Sequence, residues 1–405
     1  MILNNIQPET HDSGVRLQQR THGLYIHVPF CKRKCLYCDF ISHAGIEASK
    51  ERQRQYTDAL LSELKEEALR LPRDAVIDTI YVGGGTPTVL DGGLLREVMA
   101  CVHSAFRIDT SDRFESSIEA NPESVDLSVC RCLKECGFTR VSLGVQSLQD
   151  EDLAALGRCH DANTARRSFA MLSELVSENI GVDLMFGIPG QTLSAWKKTL
   201  SEVLLWRPAH VSFYGLQIEE GTPYYHSYRT GALDVPAFEI ERAMYDLALS
   251  MLDAAGYEQY EISSACLPGY RCLHNMKYWS MQEYLGAGLS AHSYLGGVRK
   301  ENTSDWHLYT SGRRTHAVQQ IGREECMGDY IFTALRLTQG FLLSDFYTRF
   351  HVDFEQVYGA VSGELKRLGW LEVDDRSVRL SRAGMDRTNI VIGRLLNEKG
   401  ENHAQ

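Results

Sequence analysis

The chain has 405 residues, of which 43% are hydrophobic and 23% are charged, a composition that suits one large globular domain with one or two smaller ones. Its formal net charge of -11 argues against a nucleic-acid partner, because a broad nucleic-acid surface needs a basic face to displace counterions. The N-terminus lacks the pattern of a signal peptide and no uninterrupted apolar run approaches the length of a membrane span, so we expect a cytoplasmic protein without an integral membrane segment.

Six short apolar segments, each followed by a loop and then by a helical pattern, are the predicted strands of the first half of the chain. Strands that alternate with helices predict parallel βα units, and six such units suit an incomplete barrel in an α/β fold. In βα barrels the functional residues lie at the C-terminal ends of the strands. The segments begin at Leu24, Thr79, Phe114, Arg140, Val182 and His210.

The second half of the chain follows a different pattern. Beyond about Gly221 we predict a helix from Phe238 to Ala255, a strand in the run YEQYEIS and an irregular stretch from Pro268 to Trp279. From about residue 324, three helical patterns and two short alternating runs predict a small helical domain with a hairpin wing. Wings often bind DNA, but the acidic charge favours a substrate lid or a docking module. The predicted division is residues 1–21 as an N-terminal extension, 22–222 as the partial barrel, 223–320 as an elaboration of the barrel and 321–405 as a winged-helix-like domain.

Three closely spaced cysteines follow the first predicted strand. Cys31, Cys35 and Cys38 have the spacing CxxxCxxC, and three thiolates on one loop can hold three irons of a cubane cluster while the fourth iron stays open. A missing protein ligand is typical of reactive metal sites rather than structural ones. Zinc is the less favoured alternative, because its usual paired CxxC elements are absent nearby.

Unusual residues also occur at the ends of the next predicted strands. The run GGGTPT, residues 83–88, would let backbone N–H and C=O groups approach a ligand without a Cβ atom between them. Glu119 in EANPE, Gln146 in GVQS and Asp183 in DLMFGIPGQ lie at or near the following three strand ends. Each of these alone is most simply a helix cap or a surface group. Together they predict a ring of polar groups around one site.

The cysteine loop resembles that of the radical S-adenosylmethionine (SAM) enzymes. The resemblance implies a [4Fe-4S] cluster ligated by Cys31, Cys35 and Cys38, with SAM bound to the fourth iron. It also implies a (β/α)6 partial barrel of the TIM type and an electron donor such as a flavodoxin or a ferredoxin-like protein. In such a site the cofactors carry the difficult chemistry, and the protein positions SAM and excludes water.

A longer set of motifs resembles the oxygen-independent coproporphyrinogen III oxidase-like family, from Tyr25 to the C-terminal domain. These motifs are YIHVPFCxxxCxYC, GGGTPT, EANPE, SLGVQS, a basic residue in LGRCH, DLMFGIPGQT and HNMKYW. The resemblance implies SAM contacts from Tyr25, Gly84, Gly85, Thr86, Glu119, Gln146, Arg158, Asp183 and Gly215, and Tyr37 is added from the cluster loop beside Cys38.

Within that family the chain is more similar to the heme chaperones than to the true oxidases. Phe40 stands where the oxidases carry a fourth cysteine, only 24 residues precede Tyr25, and His274 begins the HNxxYW motif of the chaperones. The resemblance implies that the protein binds heme and delivers it to acceptors such as respiratory proteins. The alternatives are the oxidase, which converts two propionates into vinyl groups, and another radical SAM enzyme that modifies tetrapyrroles.

The HNMKYW motif contains the candidate heme ligands. An imidazole flanked by an amide and two aromatic rings could form one wall of a porphyrin site, with His274 as an axial ligand and Cys272 as a second candidate. The alternative is that His274 and Asn275 hydrogen-bond the backbone of an irregular segment while Tyr278 and Trp279 fill the core. For Cys272, a role as a small core residue is favoured over ligation.

Overall fold

In the computed structural model of the protein, residues 21–401 are described, apart from the side chains of residues 46–47 and 397–401. The predicted N-terminal extension lies outside the described residues except for Thr21, which begins the first strand. The fold is α/β and is organised around one sheet of twelve strands, with a small helical domain at the C-terminal end.

The first half of the chain forms the predicted partial barrel. Six of its strands run parallel and lie side by side in the order of the sequence, which confirms the six βα units. The elements are β1 (Thr21–Val28), β2 (Phe30–Cys31), β3 (His43–Ala44), α1 (Lys50–Arg70), β4 (Val76–Gly84), α2 (Gly92–Ala105), β5 (Glu115–Ala120), α3 (Leu127–Glu135), β6 (Arg140–Gln146), α4 (Asp150–Leu156), α5 (Ala162–Leu175), β7 (Ile180–Phe186), α6 (Leu193–Trp206) and β8 (His210–Gly215).

Local sequence explains where these helices begin and end. The side chains of Ser49, Asp91 and Asp126 accept hydrogen bonds from backbone N–H groups in the first turns of α1, α2 and α3, which fixes each N-terminus. Helix α1 stops at Leu71, whose extended conformation is the one that a following proline favours. The parallel strands are mostly buried because helices cover the sheet, and β6 is buried at every position.

The middle of the chain extends the sheet at both edges. Strand β11 runs parallel to β1 and is followed by antiparallel strands, while a hairpin pairs antiparallel with β8 at the other edge. The stretch from Pro268 to Trp279, predicted to be irregular, contains a helix, so the HNMKYW motif is helical. The elements are α7 (Pro223–Arg229), α8 (Phe238–Ala254), β9 (Glu258–Glu261), β10 (Ser264–Cys266), α9 (Leu273–Trp279), β11 (Tyr284–Ala287), β12 (His292–Leu295), β13 (Val298–Asn302), α10 (Trp306–Thr310) and β14 (Thr315–Gln320).

The C-terminal domain has its own core and the predicted hairpin wing. Asp374 closes the wing by accepting hydrogen bonds from the N–H groups of Arg376 and Ser377, both at 2.8 Å. Six buried aromatic side chains form the centre of the core: Tyr330, Phe341, Phe346, Phe350, Phe354 and Tyr358. The elements are α11 (Arg323–Ala334), β15 (Phe341–Leu342), α12 (Leu343–Phe350), α13 (Phe354–Arg367), β16 (Leu371–Val373), β17 (Ser377–Leu380), α14 (Arg382–Met385) and α15 (Thr388–Glu401).

The C-terminal domain contacts the elaboration of the barrel through polar groups. Arg349 Nη1 donates to the carbonyl of Met281 at 2.7 Å, and Arg242 Nη1 lies 2.7 Å from Asp386 Oδ1. These contacts hold the domain against α8 and against the segment that follows α9. Among the described residues, no helix combines the length and the apolar character needed to cross a bilayer.

Candidate cofactor site

A cavity of about 420 Å³ lies at the C-terminal ends of the barrel strands, against the cysteine loop. It brings together most of the residues that the sequence motifs singled out, although they come from six separate segments of the chain. Those that line it are Cys31, Cys35, Tyr37, Cys38, Gly84, Gly85, Thr86, Glu119, Gln146, Arg158 and Asp183. This is the edge of the sheet at which a βα barrel carries its functional groups.

The loop that carries the cysteines is fastened to the barrel by the basic residues between them. Arg33 Nη2 donates to the carbonyl of Arg158 at 2.7 Å, and Lys32 donates to the carbonyl of Glu123. The backbone N–H of Leu36 donates to the carbonyl of Leu156 at 3.2 Å. The three thiols are half-buried and unpaired with one another, and the loop presents all of them to the cavity.

The environment of the thiols fits metal binding. Burial raises the pKa of Cys31 and raises that of Cys38 to about 11, so a bound metal would have to displace protons from these thiols. Thr86 Oγ1 lies 3.6 Å from Cys31 Sγ, and Arg158 Nη1 lies 3.5 Å from Cys35 Sγ. Within residues 21–401, no group of three or more His, Cys, Asp or Glu side chains is arranged to hold a single metal ion. A cubane cluster binds each cysteine through a different iron, so its ligands need not converge on one point.

The glycine run brings bare backbone to the cavity wall. Gly84 has φ +112°, and a Cβ atom there would lie 2.4 Å from the His27 ring, so no other residue fits. The N–H of Gly84 donates to Glu119 Oε2 and the N–H of Gly85 donates to the carbonyl of Val28, both at 2.9 Å. Both N–H groups are therefore engaged within the protein, and the glycine run brings backbone without a Cβ atom to the cavity wall.

Two carboxyl groups make the cavity floor acidic. Burial raises the pKa of Glu119 to about 7, although hydrogen bonds from Tyr81 and Gly84 act in the opposite direction. Burial also raises the pKa of Asp183, which accepts a hydrogen bond from Ser142 Oγ at 3.0 Å. Carboxyl groups held in this way gain stability from a cationic ligand, because its charge favours their ionised forms.

Two buried arginines supply the opposite charge. Arg140 is 2% exposed and lines the cavity, and its Nε and Nη1 atoms have no hydrogen-bond partner among the described residues. Arg158 Nη2 donates to Asn121 Oδ1 at 2.7 Å, while its Nε atom is likewise unpartnered in the described part of the chain. Buried donors without partners are costly unless a ligand or water satisfies them, so these groups fit an anionic ligand moiety.

Three further residues at the cavity, none of them a candidate from the sequence, organise its polar groups. Tyr81 donates to Glu119, Asn121 connects Arg158 to Thr86, and Arg140 lies beneath both carboxyl groups. Asn121 belongs to the EANPE motif and lies just past the end of β5, so its position at a strand end could have identified it as a candidate site residue. Arg140 gave none, because it begins β6 and reaches the cavity through the length of its side chain.

Two predicted SAM contacts lie outside the lining of this cavity. Tyr25 lines a neighbouring cavity, and its hydroxyl is 3.0 Å from His27 Nδ1. Gly215 ends β8, and a Cβ atom there would lie 2.6 Å from Glu241 Oε1, so this glycine allows α8 to pack closely. Gln146 does line the cavity; it has φ +66° and accepts a hydrogen bond from the Tyr214 hydroxyl.

The two candidate heme ligands are buried below the cavity. His274 is 0% exposed, with Nδ1 at 2.9 Å from Thr79 Oγ1 and Nε2 at 2.8 Å from the Tyr278 hydroxyl, so both ring nitrogens are engaged. Burial lowers the pKa of His274 to about 3, which keeps its ring neutral. Cys272 is also fully buried, and its thiol lies 3.7 Å from Glu115 Oε1. This geometry corresponds to the alternative in which these groups bind neighbouring residues, although the partners are side chains rather than backbone.

Two family models match separate parts of the chain. Residues 25–203 match the radical SAM superfamily, and residues 322–387 match the HemN C-terminal domain. Radical SAM proteins use a [4Fe-4S] cluster and SAM, and the thiols, carboxyl groups and unpartnered arginines of this cavity fit those two groups. The Escherichia coli coproporphyrinogen III oxidase HemN has the same fold, with a TM-score of 0.81 and 20% identity over 94% of this chain and 91% of that one.

Curated relatives are more similar in sequence. The protein named heme chaperone HemW from Bacillus subtilis is 33% identical over 92% of this chain and 99% of its own. The Escherichia coli protein of the same name is 35% identical over 67% of this chain and 69% of its own. The zebrafish mitochondrial radical S-adenosyl methionine domain-containing protein 1 is 29% identical over 93% of this chain and 87% of its own. At this level of identity along almost the whole length, the chain belongs to the HemW heme-chaperone family of the radical SAM superfamily.

Proposed function

We propose that the protein is a heme chaperone that binds a [4Fe-4S] cluster, SAM and heme, and that it transfers the heme to acceptor proteins. The observation that supports this proposal most strongly is the cavity itself, where three thiols meet paired carboxyl groups and unpartnered arginines at the strand ends. The second support is the similarity to proteins named heme chaperones along nearly the whole chain.

Each part of the cavity has a distinct role in this proposal. Cys31, Cys35 and Cys38 hold the cluster, which together with SAM supplies one-electron chemistry at the sulfonium centre. Glu119 and Asp183 bind the positive charges of SAM, because a cationic ligand offsets the burial that disfavours their ionised forms. Arg140 donates to an anionic moiety through the atoms that lack partners in the described structure.

The residue at position 40 favours the chaperone over the oxidase. Phe40 is 62% exposed and lines the cofactor cavity, at the place where the resemblance assigns the oxidases a fourth cysteine. A phenyl ring cannot bind iron or shuttle a proton, so any role of that cysteine in the oxidase reaction is absent here. The similarity in fold to the oxidase does not distinguish the two functions, because one fold supports several chemistries.

The proposal extends to partners and location. We propose that the acceptors are heme proteins such as respiratory enzymes, that a flavodoxin or ferredoxin-like protein reduces the cluster, and that the protein acts in the cytoplasm. The proposed cluster is consistent with a reducing compartment, since the eleven cysteines include no disulfide among the described residues.

An anaerobic assay tests the proposal directly. Protein with a reconstituted cluster is incubated with SAM, a low-potential reductant and coproporphyrinogen III, and the tetrapyrrole is analysed by mass spectrometry. A parallel sample is titrated with ferric heme and then mixed with an apo-cytochrome. We expect unchanged porphyrinogen, heme binding and transfer. Loss of two carboxyl groups from the porphyrinogen would instead identify an oxidase, and failure to bind heme would exclude the chaperone.

A further inference from the structure

A second cavity, of about 370 Å³, lies beside the cofactor cavity. The two share Phe40, and the second one also includes Asp39, which directly follows the last cluster cysteine. Its remaining lining residues are Tyr25, His27, Ile41, Tyr278, Tyr284, Ser290 and His292. A ligand in this cavity would therefore lie next to the cluster loop without occupying the space assigned to SAM.

Aromatic side chains dominate the walls of this second cavity. The rings of Tyr278 and Tyr284 meet edge to face, with their centroids 4.7 Å apart, and Tyr25 stacks on Tyr81 at 6.3 Å. Phe40 adds an exposed phenyl ring at the boundary between the two cavities. Flat aromatic surfaces around an open cleft suit a planar, largely apolar macrocycle, with which they can stack or make edge contacts.

The side chains that could bind iron here differ in whether they are free to do so. His27 has Nδ1 at 3.0 Å from the Tyr25 hydroxyl and Nε2 at 3.1 Å from the carbonyl of Ile41, so both of its nitrogens are engaged. His274 is buried with both nitrogens engaged, as described above. His292 is exposed at the cavity, and neither of its ring nitrogens has a hydrogen-bond partner within residues 21–401.

The backbone around His292 is constrained. A Cβ atom at Gly286 would lie 2.0 Å from the carbonyl oxygen of His292, so β12 folds back tightly over the end of β11. In the connection, Ser290 has φ +59°, a conformation that residues other than glycine seldom adopt, and its N–H donates to the carbonyl of Thr303 at 3.0 Å. Strain of this kind persists where the surroundings enforce it and often accompanies binding sites. Here it fixes the position of His292 at the mouth of the cavity.

We infer that ferric heme binds in this second cavity, with His292 as an axial ligand. The inference rests on the proposed heme chaperone function and specifies the site. In the binding step, a nitrogen lone pair of the imidazole replaces water on the iron, with no change in oxidation state. The macrocycle lies against the rings of Tyr278, Tyr284 and Phe40. An open cleft with a single exposed histidine ligand leaves the other axial position of the iron accessible to an acceptor.

The test is a heme titration of the full-length protein and of two matched variants. His292→Ala removes the inferred ligand, whereas His316→Ala removes an exposed histidine from β14, in the same antiparallel part of the sheet. Binding is followed by the Soret band and by electron paramagnetic resonance of the ferric heme. Far-UV circular dichroism and the thermal midpoint report whether each variant is folded. A final sample adds free imidazole to the His292→Gly variant.

We expect His292→Ala to weaken heme binding by about tenfold or more and to shift the Soret band, with His316→Ala unchanged. Imidazole should restore the wild-type spectrum of His292→Gly, which a structural effect of the substitution would not do. If wild-type protein binds heme and His292→Ala gives the same affinity and spectrum, the inferred site is wrong while the chaperone function stands. If wild-type protein binds no heme, both the inference and the proposed function are wrong.

Discussion

The hydroxyl of Tyr81 donates a hydrogen bond to Glu119 Oε1 at 2.9 Å, from one strand of the barrel to the next. The same carboxyl group accepts the N–H of Gly84 through its other oxygen. Glu119 is therefore held in one orientation at the cavity floor, with its charge unpaired by any cation in direct contact among the described residues. This arrangement holds the carboxyl group ready for a cationic ligand, while burial outweighs the two hydrogen bonds and raises its pKa to about 7.

The affinity for SAM should therefore depend on pH. SAM is positively charged and favours ionised Glu119, so binding below about pH 7 requires the carboxyl group to release a proton. We expect the dissociation constant to fall as the pH rises from about 6 to 8 and then to level off. Isothermal titration calorimetry in buffers of different ionisation enthalpy measures both the affinity and the proton release. Glu119→Gln should bind SAM more weakly and remove most of the pH dependence; the same pH profile in this variant would assign the titration to another group.

Cys35→Ser should abolish the cluster. The substitution leaves two thiol ligands from the loop, and a serine hydroxyl is a poor ligand for iron in a cubane. After anaerobic reconstitution we expect wild-type protein to contain about four iron and about four sulfide per chain and to show the visible absorbance that is typical of such clusters. We expect the variant to contain little iron or sulfide. Cys101→Ser, on α2 and outside both cavities, is the matched control and should retain the cluster. Full iron and sulfide content in Cys35→Ser would contradict the assignment.

The alternation of strands and helices was sufficient to predict the partial barrel. Each strand contains its own apolar run. In a parallel sheet the C-terminal ends of the strands lie at the same edge, so polar residues at these ends lie near one another whatever the details of packing. For that reason Glu119, Gln146 and Asp183 could be placed together without knowledge of their distances. The winged C-terminal domain was equally readable, since Asp374 closes its hairpin by a local hydrogen-bond pattern.

Features that depend on tertiary contacts could not be predicted in this way. The segment that forms helix α9 was predicted to be irregular, because a helix this short has little periodic pattern of its own. Its N-terminus is held by Glu115 of β5, whose carboxylate accepts the N–H groups of Leu273 and His274. Arg140 reaches the cofactor cavity from the start of its strand, so its sequence position gave no signal. The second cavity arises where β11 extends the sheet beside β1, a pairing between residues more than 250 positions apart.

Arg158 connects the cluster loop to the barrel, and its replacement should change the redox properties of the cluster. Its Nη1 atom lies 3.5 Å from Cys35 Sγ, and Nη2 donates to the carbonyl of Gly144 at 2.8 Å. Hydrogen bonds and positive charge near cluster sulfurs stabilise the reduced state. In Arg158→Gln we expect the reduction potential to fall by an amount on the order of tens of millivolts. An anaerobic redox titration followed by electron paramagnetic resonance measures it, with Arg166→Gln, on α5 at the barrel surface, as the control. Equal potentials in wild-type protein and Arg158→Gln would contradict this role.

Gly84→Ala should destabilise the protein, because two separate constraints require glycine at this position. The residue has φ +112°, and the added Cβ atom would lie within 2.4 Å of the His27 ring, whose position is fixed by hydrogen bonds at both nitrogens. We expect a loss of about 2–3 kcal/mol in the free energy of unfolding, measured by urea denaturation. Gly363→Ala provides the contrast: it lies within α13, where a Cβ atom meets nothing within 4 Å, and should stabilise the protein by about 0.5–1 kcal/mol. If Gly84→Ala proved as stable as wild-type protein, the glycine run would have to adopt another conformation. The hydrogen bonds assigned to the N–H groups of Gly84 and Gly85 at the cavity wall would then be wrong as well.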